Sequence, residues 1–355
     1  MDLAHYAGDG SDPIASAARR KPCGGRLRNP AAQFAGVVVA SLLLAAPSPA
    51  DDDLGAFTQP APGAPRAWQG GYAISPYSTY NLYNGNVLTE IPIVSYDPVG
   101  PPVSLTLYHN SADANVNRSG AAGQGFDLGR GWSTSYSGRI EHDPNAMTCV
   151  VIEDDGTRNT YTKTGGVWTP PTSVYDALTR FESLPDSGVY YWRLTRTSQT
   201  QRIFDENGLL IEIRDSSGNA LKIARDTANG GRITAIRSAA DGLTVPGSNP
   251  PVTIDHELTF TYADPNNPDR LRRVTDPIGR VWRFEYNTGA GRLSKLHYPS
   301  DNSVDPSYME FAYAAAKGRI TRIHARREDT DTNDIYWDYK YSGGKLTQVI
   351  DPVQA

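Results

Sequence analysis

The chain has 355 residues, including 33 Gly, 26 Pro and 20 Tyr, and 10% of its residues are aromatic. This length allows about one to three domains, and the aromatic content excludes a wholly disordered chain. A formal net charge of −5 gives no electrostatic footprint for nucleic acid. The two cysteines, Cys23 and Cys149, are too few for a cysteine metal cluster, and no cofactor is predicted.

Residues 1–50 have the pattern of a secretory signal peptide. A basic region is followed by an apolar run of 13 residues, Phe34 to Ala46, and by the small residues Ser48-Pro49-Ala50. A membrane anchor or a buried helix is the alternative, although the run is short for a membrane-spanning helix. Removal of the leader would leave Cys149 alone, so no internal disulfide is predicted. Residues 51–71 are rich in Pro, Ala and Gly and predict a flexible linker.

Residues 72–200 predict a β-rich region that has no clear repeats and precedes an array of repeats. Val87–Ile93 and Val103–Tyr108 alternate as strands, and Asn84-Gly85-Asn86 predicts the turn before the first of them. Asp97–Gly100 and Glu153–Gly156 predict further turns.

Residues 201–355 contain a repeated two-strand unit, best seen in residues 270–298. A short strand leads to Asp276-Pro277-Ile278-Gly279, whose residues suit a type I turn. In the second strand, residues 281–286, alternation puts Trp282, Phe284 and Tyr286 on one face.

Copies of this unit open with Gly (Asp in one), then Arg, Lys or Leu, then an aliphatic residue. They start at Gly208, Gly231, Asp269, Gly291, Gly318 and Gly344, at steps of 23, 38, 22, 27 and 26 residues. Contents that recur at a nearly fixed period indicate a stacked array, in which each hairpin is stabilised by its neighbours. The chain stops at the start of another such turn, Asp351-Pro352, which predicts an array cut off at the C-terminus.

The pattern Gly-Arg-Leu-x-x-Val-x-Asp-x-x-Gly followed by an aromatic strand resembles the Rhs/YD-repeat family. The resemblance covers residues from about 201 to the end and implies antiparallel β-hairpin repeats stacked into a curved open sheet, part of an Rhs/YD shell. The segment from Gly85 to Trp132 resembles the part that precedes such repeats. The Asp that follows the last Tyr of the strand in the family is replaced here by Asn287, Ala314 and Ser342.

Motifs for catalysis and metal binding are incomplete in this sequence. Gly131-Trp132-Ser133 lacks the rest of a nucleophile elbow, and His256-Glu257 lacks the second His of a zinc-protease helix. Asp329–Asn333 resembles the start of a calcium loop, but Asp334 replaces the required Gly, so a polar hairpin tip is the better interpretation. The chain is therefore predicted not to be an enzyme.

The residues singled out in the repeats form turns and an aromatic face, for which two interpretations are open. The face is either a packed inner surface, which regular alternation favours, or a sugar-stacking platform. These residues are Asp276, Pro277, Gly279, Trp282, Phe284, Tyr286, Phe311, Tyr313, Trp337, Tyr339 and Tyr341.

The resemblance implies an exported structural protein, a section of a shell that encloses and delivers a C-terminal toxin or effector. Its expected partners are further repeats and that effector within a longer polyprotein. A cell-surface adhesion or carbohydrate-binding module, with glycans as partners, is the alternative. Export through the inner membrane to the surface or medium, or to the periplasm if the chain is retained, follows from the leader. A single-layer sheet with a partly uncovered inner face is expected, and with it self-association.

Overall fold

The structure is a computed structural model, which describes residues 71–114, 128–143, 145–239, 243–244, 253–254, 256–264, 267–288, 291–299, 307–315, 317–325 and 335–352. The predicted signal peptide, most of the predicted linker and the calcium-loop-like segment from Asp329 lie outside these residues. In the described residues, no helix has the length and apolar character needed to span a membrane.

Strands make up most of the described chain, because short alternating runs are separated by Gly-rich turns. The first five strands form one sheet in sequence order: β1 Gly71–Ser75, β2 Ser78–Asn81, β3 Val87–Tyr96, β4 Val103–Asn110 and β5 Trp132–Thr134. We call this the N-terminal sheet. The predicted strands at Val87–Ile93 and Val103–Tyr108 lie within β3 and β4.

A second and larger sheet contains nearly all the other strands, each antiparallel to its sequence neighbour. Its first part is β6 Arg139–His142, β7 Thr148–Ile152, β8 Arg158–Thr164, β9 Val167–Thr169, β10 Ala177–Glu182, β11 Tyr190–Thr195, β12 Gln201–Phe204, β13 Leu210–Arg214, β14 Ala220–Asp226 and β15 Arg232–Ser238. A short 3-10 helix, Thr227–Asn229, connects β14 to β15. The minor strands β16 Leu243–Thr244 and β17 Thr253–Ile254 pair separately with each other.

The larger sheet continues with β18 Glu257–Asp264, β19 Asn267–Thr275, β20 Val281–Tyr286, β21 Leu293–His297, β22 Tyr308–Tyr313, β23 Ile320–Ala325, β24 Ile335–Ser342 and β25 Lys345–Ile350. Its pairing crosses residue 200 without a break, because β11 pairs with β12. Strands of the non-repetitive region 72–200 therefore contribute to both sheets.

The larger sheet is curved, and one of its turns returns to its first strand. The Ile140 amide donates to the carbonyl oxygen of Gly208 at 2.8 Å, and Arg139 and Leu209 form a single bridge. In the described residues, no strand ladder joins the last strand, β25, to β6. The prediction of an all-β chain with a curved, open antiparallel sheet is confirmed.

The core lies between the two sheets, which corrects the expectation of a single layer with an uncovered inner face. Val103, Leu105 and Leu107 of β4 are fully buried in one cluster with the aliphatic residues of the repeats. The apolar inner face of the larger sheet packs against the N-terminal sheet, because a sheet must bury one apolar face to be stable.

Candidate functional site

The predicted turn Asp276–Gly279 forms, and it also contacts the N-terminal sheet. The Gly279 amide donates to the Asp276 carbonyl oxygen at 3.0 Å, and Gly279 has a positive φ of 83°. Pro277 lies at the surface. The Asp276 carboxylate accepts hydrogen bonds from the Tyr96 hydroxyl at 2.5 Å and from Arg280 Nε at 2.6 Å. Burial alone would raise the pKa of Asp276, but these hydrogen bonds lower it below its ordinary value.

The aromatic face of the repeats points into the core. Trp282, Phe284, Phe311 and Tyr339 are buried, and Trp282 is only 4% exposed. Tyr286, Tyr313, Trp337 and Tyr341 are half-buried and pack against the same core. This arrangement favours the packed inner surface over the sugar-stacking platform, since these rings already have protein neighbours.

The N-terminal sheet covers this face through specific ring and hydroxyl contacts. Tyr77 meets Trp337 edge to face, with ring centroids 5.3 Å apart. The Tyr339 hydroxyl lies 2.8 Å from Ser75 Oγ and 2.9 Å from Ser78 Oγ. These contacts join residues more than 250 positions apart in the chain.

Trp132 extends this cover from β5. Its indole Nε1 donates to the Tyr313 hydroxyl at 2.9 Å, and its ring lies 4.9 Å from that of Phe311. The neighbouring Ser133 hydroxyl donates to the Asp154 carbonyl oxygen at 2.6 Å, so it serves in packing and not as an activated nucleophile. His256 immediately precedes strand β18 and not a helix.

Four of the six repeats have an internal contact between their opening Arg and their closing Tyr. The guanidinium carbon lies over the Tyr ring at 4.7–5.8 Å in four pairs: Arg232 with Tyr262, Arg270 with Tyr286, Arg292 with Tyr313, and Arg319 with Tyr341. The Tyr hydroxyl also donates to a carbonyl of the opening strand: Tyr262 to Ile233, Tyr286 to Leu271, and Tyr313 to Leu293. A buried cation–π contact contributes about 0.5–2 kcal/mol.

At Gly291 and Gly318, the opening Gly leaves room for the Arg of the preceding repeat. A Cβ atom on Gly291 would lie 2.0 Å from Arg270 Nη2, and one on Gly318 would lie 2.3 Å from Arg292 Nη2. The Arg of such a repeat therefore packs on the Tyr of its own repeat and against the Gly of the next one. Sequence reasoning found all three residue types but not this contact.

Asn287 stands where the family has Asp, and it closes its hairpin by hydrogen bonds with Arg292. Its Oδ1 accepts from the Arg292 amide at 2.9 Å, and its own amide donates to the Arg292 carbonyl oxygen. Ala314 makes the backbone hydrogen bond to Arg319 without a side-chain acceptor. A carboxylate is therefore not needed to close these hairpins.

The turn Glu153–Gly156 connects β7 to β8 of the larger sheet and also contacts the N-terminal sheet. It has three consecutive carboxylate residues. Glu153 pairs with Arg196 at 2.5 Å, and Asp154 pairs with Arg202 at 2.7 Å. Burial raises the pKa of Asp154. The Asp155 carbonyl oxygen accepts from Asn110 Nδ2 of β4 at 3.0 Å, which ties the turn to the N-terminal sheet.

A polar cavity of about 200 Å³ lies between this turn and strands β1–β4. Among its lining residues are Asn81, Glu90, Asn110 and Asp155. Burial, followed by the Asp155 charge, raises the pKa of Glu90. The turn and the strands were predicted separately, and no sequence pattern brought them together. In the described residues, no group of three or more His, Cys, Asp or Glu side chains could hold a metal ion.

The RHS Repeat family model matches residues 269–303. The tRNA(Glu)-specific nuclease WapA of Bacillus subtilis subsp. natto strain BEST195 is 28% identical over 281 residues, which is 78% of this chain and 11% of that protein. The tRNA nuclease WapA of Bacillus subtilis strain 168 is 27% identical over 281 residues, with the same coverage. The chain thus spans only about a tenth of the length of these relatives.

Among solved structures, the N-terminal domain of effector protein SpvB from Salmonella typhimurium strain LT2 is similar to this chain. It is 12% identical, and the match covers 74% of this chain and 97% of that domain at a TM-score of 0.27. That TM-score is too low to equate the two folds. The repeat geometry, the family match and the WapA relatives together identify the chain as an Rhs/YD-repeat protein.

Proposed function

We propose that this chain is a non-enzymatic section of an exported Rhs-type shell, which encloses and delivers a C-terminal toxin or effector. The observation that carries the proposal is that the recurring residues of the repeats serve in packing. The Arg–Tyr contacts link the strands of four repeats, and the buried rings pack between the two sheets. A curved sheet of this kind is suited to surrounding another polypeptide segment.

The relatives support a division between repeats and cargo. They are named as tRNA nucleases, and this chain aligns with 11% of their length. We therefore assign this chain to the scaffold and any nuclease or other toxic activity to a different segment. Its partners are then further repeats and an effector in the same polyprotein, and no nucleic acid.

One experiment tests the absence of activity. The purified chain is incubated with total tRNA, and the RNA is then resolved on a denaturing gel. Intact tRNA is expected, with a known ribonuclease as the positive control. Cleavage that copurifies with the chain and disappears in a Trp282→Ala variant, in which the fold is weakened, would contradict the proposal.

A second experiment tests enclosure. The gene is sequenced on both sides of this segment, and the product of the native reading frame is subjected to limited proteolysis. Further repeats and a divergent C-terminal segment that resists proteolysis are expected. A C-terminal segment that is digested as fast with the repeats as without them would contradict the shell function.

The alternative, a cell-surface adhesion or carbohydrate-binding module, would need a ligand site other than the aromatic face, because that face packs inside the protein. A glycan array probed with the full chain separates the alternatives, since a pure scaffold is expected to give no specific signal.

A further inference from the structure

The outer face of the larger sheet, which points away from the core, has two arginines directly opposite each other. Arg273 of β19 and Arg283 of β20 are cross-strand partners, and both side chains are exposed. The adjacent residues Val274 and Trp282 are buried on the inner face. Like charges at directly opposite positions of a sheet repel each other and lower its stability. The pair therefore has an unfavourable interaction that a bound anion would remove.

A second like-charged pair in the same sheet shows how such a repulsion is compensated within the protein. Lys222 of β14 lies opposite Arg237 of β15. The next residue of this row on one side is Glu212, which forms an ion pair with Lys222. On the other side the next residue is Glu257. Two cations thus lie between two carboxylates.

The row that contains Arg273 and Arg283 has no such flanking carboxylates. Thr261 lies opposite Arg273 on one side, and His297 lies opposite Arg283 on the other. Among the described residues, neither of the two guanidinium groups has a hydrogen-bond or ion-pair partner. Glu285, on the same face of β20, contacts His297 Nε2 at 3.0 Å. Its carboxylate is thus engaged by the histidine and by neither arginine.

A third guanidinium adds to the positive charge beside this pair. Arg272 precedes Arg273 at a bulge in β19, and its Nη1 donates to the Phe284 carbonyl oxygen at 3.0 Å. Phe284 follows Arg283 in β20, so this hydrogen bond holds the Arg272 charge near Arg283. We call Arg272, Arg273 and Arg283 the arginine cluster.

The donor groups of the arginine cluster favour an oxyanion as the ligand. A guanidinium presents its N–H donors in a planar fork that matches the oxygen atoms of carboxylate and phosphate groups. A carboxylate has a single charge and can be satisfied by one such fork. A phosphate monoester has a charge of about −1.5 to −2 and several strong acceptor oxygens. Neighbouring guanidinium groups therefore match a phosphate group better than a carboxylate.

We propose that the arginine cluster binds a phosphate group, carried either by a small soluble molecule or by a lipid headgroup. The phosphate oxygens accept hydrogen bonds from Arg273 and Arg283, and the negative charge offsets the repulsion between them. Arg272 contributes its charge while its Nη1 stays on the Phe284 carbonyl. The site lies on the face opposite to the aromatic core and is independent of the shell function proposed above, so either proposal can fail without the other.

The test is isothermal titration of the full chain with inorganic phosphate, phenyl phosphate and acetate in a chloride buffer of constant ionic strength. Sedimentation with vesicles of phosphatidylcholine, with and without phosphatidic acid, examines the lipid source. Arg273→Gln and Arg283→Gln each remove one guanidinium at an exposed position. Arg237→Gln is the matched control, because it removes an exposed cation from the row whose carboxylates already compensate it.

Phosphate and phenyl phosphate are expected to bind, and acetate to bind more weakly. Loss of one charge-assisted contact should weaken phosphate binding about tenfold in Arg273→Gln and in Arg283→Gln, and leave it unchanged in Arg237→Gln. Circular dichroism verifies the fold of each variant. Sedimentation with phosphatidic acid vesicles that Arg283→Gln abolishes would assign the phosphate to a lipid. Phosphate binding without vesicle binding would assign it to a soluble molecule.

Three results would overturn the proposal. The first is no heat of binding with phosphate or phenyl phosphate at millimolar concentration. The second is phosphate binding that Arg237→Gln weakens as much as Arg283→Gln does, which would show general attraction to the protein surface. The third is binding of acetate as tight as that of phosphate, which would show a carboxylate site.

Discussion

At the scale of single residues, the repeats illustrate how one side chain serves two contacts. Tyr286 donates its hydroxyl proton to the Leu271 carbonyl while its ring receives the Arg270 guanidinium. Asp276 likewise closes its turn and also receives the Tyr96 hydroxyl. Loss of such a residue therefore affects both its own hairpin and the neighbouring element.

Trp282→Ala should reduce the free energy of unfolding by about 3–5 kcal/mol, because a large buried ring leaves a cavity when it is removed. The ring is 4% exposed, and Arg280 lies over it at 5.5 Å. A urea titration measures the change. Tyr175→Ala, at a ring that is 77% exposed, is the control and should cost little. A loss below about 1 kcal/mol at Trp282 would place the ring at the surface.

Acid should weaken the contact between Asp276 and Tyr96. The pKa of Asp276 is lowered in the folded chain from its ordinary 3.8, so the pair stabilises the fold above that pH. This contribution is lost as the pH falls below about 4 through the folded-state pKa. Unfolding free energies at a series of pH values should fall less steeply for Asp276→Asn than for the wild type. Equal slopes for the two proteins would contradict this assignment.

At the scale of elements, each hairpin is specified by its own sequence. The Asp-x-x-Gly turn supplies a carboxylate for the backbone amides and a residue tolerant of positive φ. Gly208 and Gly279 occupy equivalent places in two such turns, with φ of 79° and 83°. Their surroundings differ, since a Cβ on Gly208 would lie 1.9 Å from the Ile140 carbonyl oxygen, whereas Gly279 has open space.

This pair of glycines isolates the contact between the turn Asp205–Gly208 and strand β6. Gly279→Ala should cost about 1–2 kcal/mol for its positive φ alone. Gly208→Ala should cost more, because the backbone of β6 must move and the hydrogen bond from Ile140 would be lost. Chemical denaturation of both variants measures the difference, and Gly218→Ala, also in open space, provides a second control. Equal costs for all three would mean that the turn does not rest on β6.

Sequence reasoning succeeded where the determining contacts are local. The alternation of Trp282 and Phe284 predicted that they share one face, and both rings are buried; the residues of Asp276–Gly279 predicted a turn, and its hydrogen bond forms. It did not find the pairing of Tyr77 with Trp337, because no local period links residues so far apart. Strands β6–β11 share the large sheet but lack the repeat motif, so no sequence pattern indicated that they belong to it.

The polar cavity was missed for the same physical reason. Asn81 lies at the end of a strand, and Asp155 lies in a turn of the other sheet. Each was assigned to an ordinary local role, and only the tertiary fold places them around one space.

At the scale of the whole molecule, the N-terminal sheet is a cover for the repeats. Hydroxyl groups of Ser75 and Ser78, the Tyr77 ring and Trp132 meet the aromatic face at separate places. The burial of this face removes the main reason to expect self-association through an exposed apolar surface. The two sheets thus pack around one shared core, and the proposed shell function requires such a stable layer.

The most direct test of this two-sheet account is a double-mutant cycle between Tyr77 and Trp337. Unfolding free energies are measured for the wild type, Tyr77→Ala, Trp337→Ala and the double variant. Because the two rings meet edge to face at 5.3 Å, a coupling energy of about 0.5–1.5 kcal/mol is expected. Strictly additive effects would show that the N-terminal sheet does not rest on the aromatic face of the repeats.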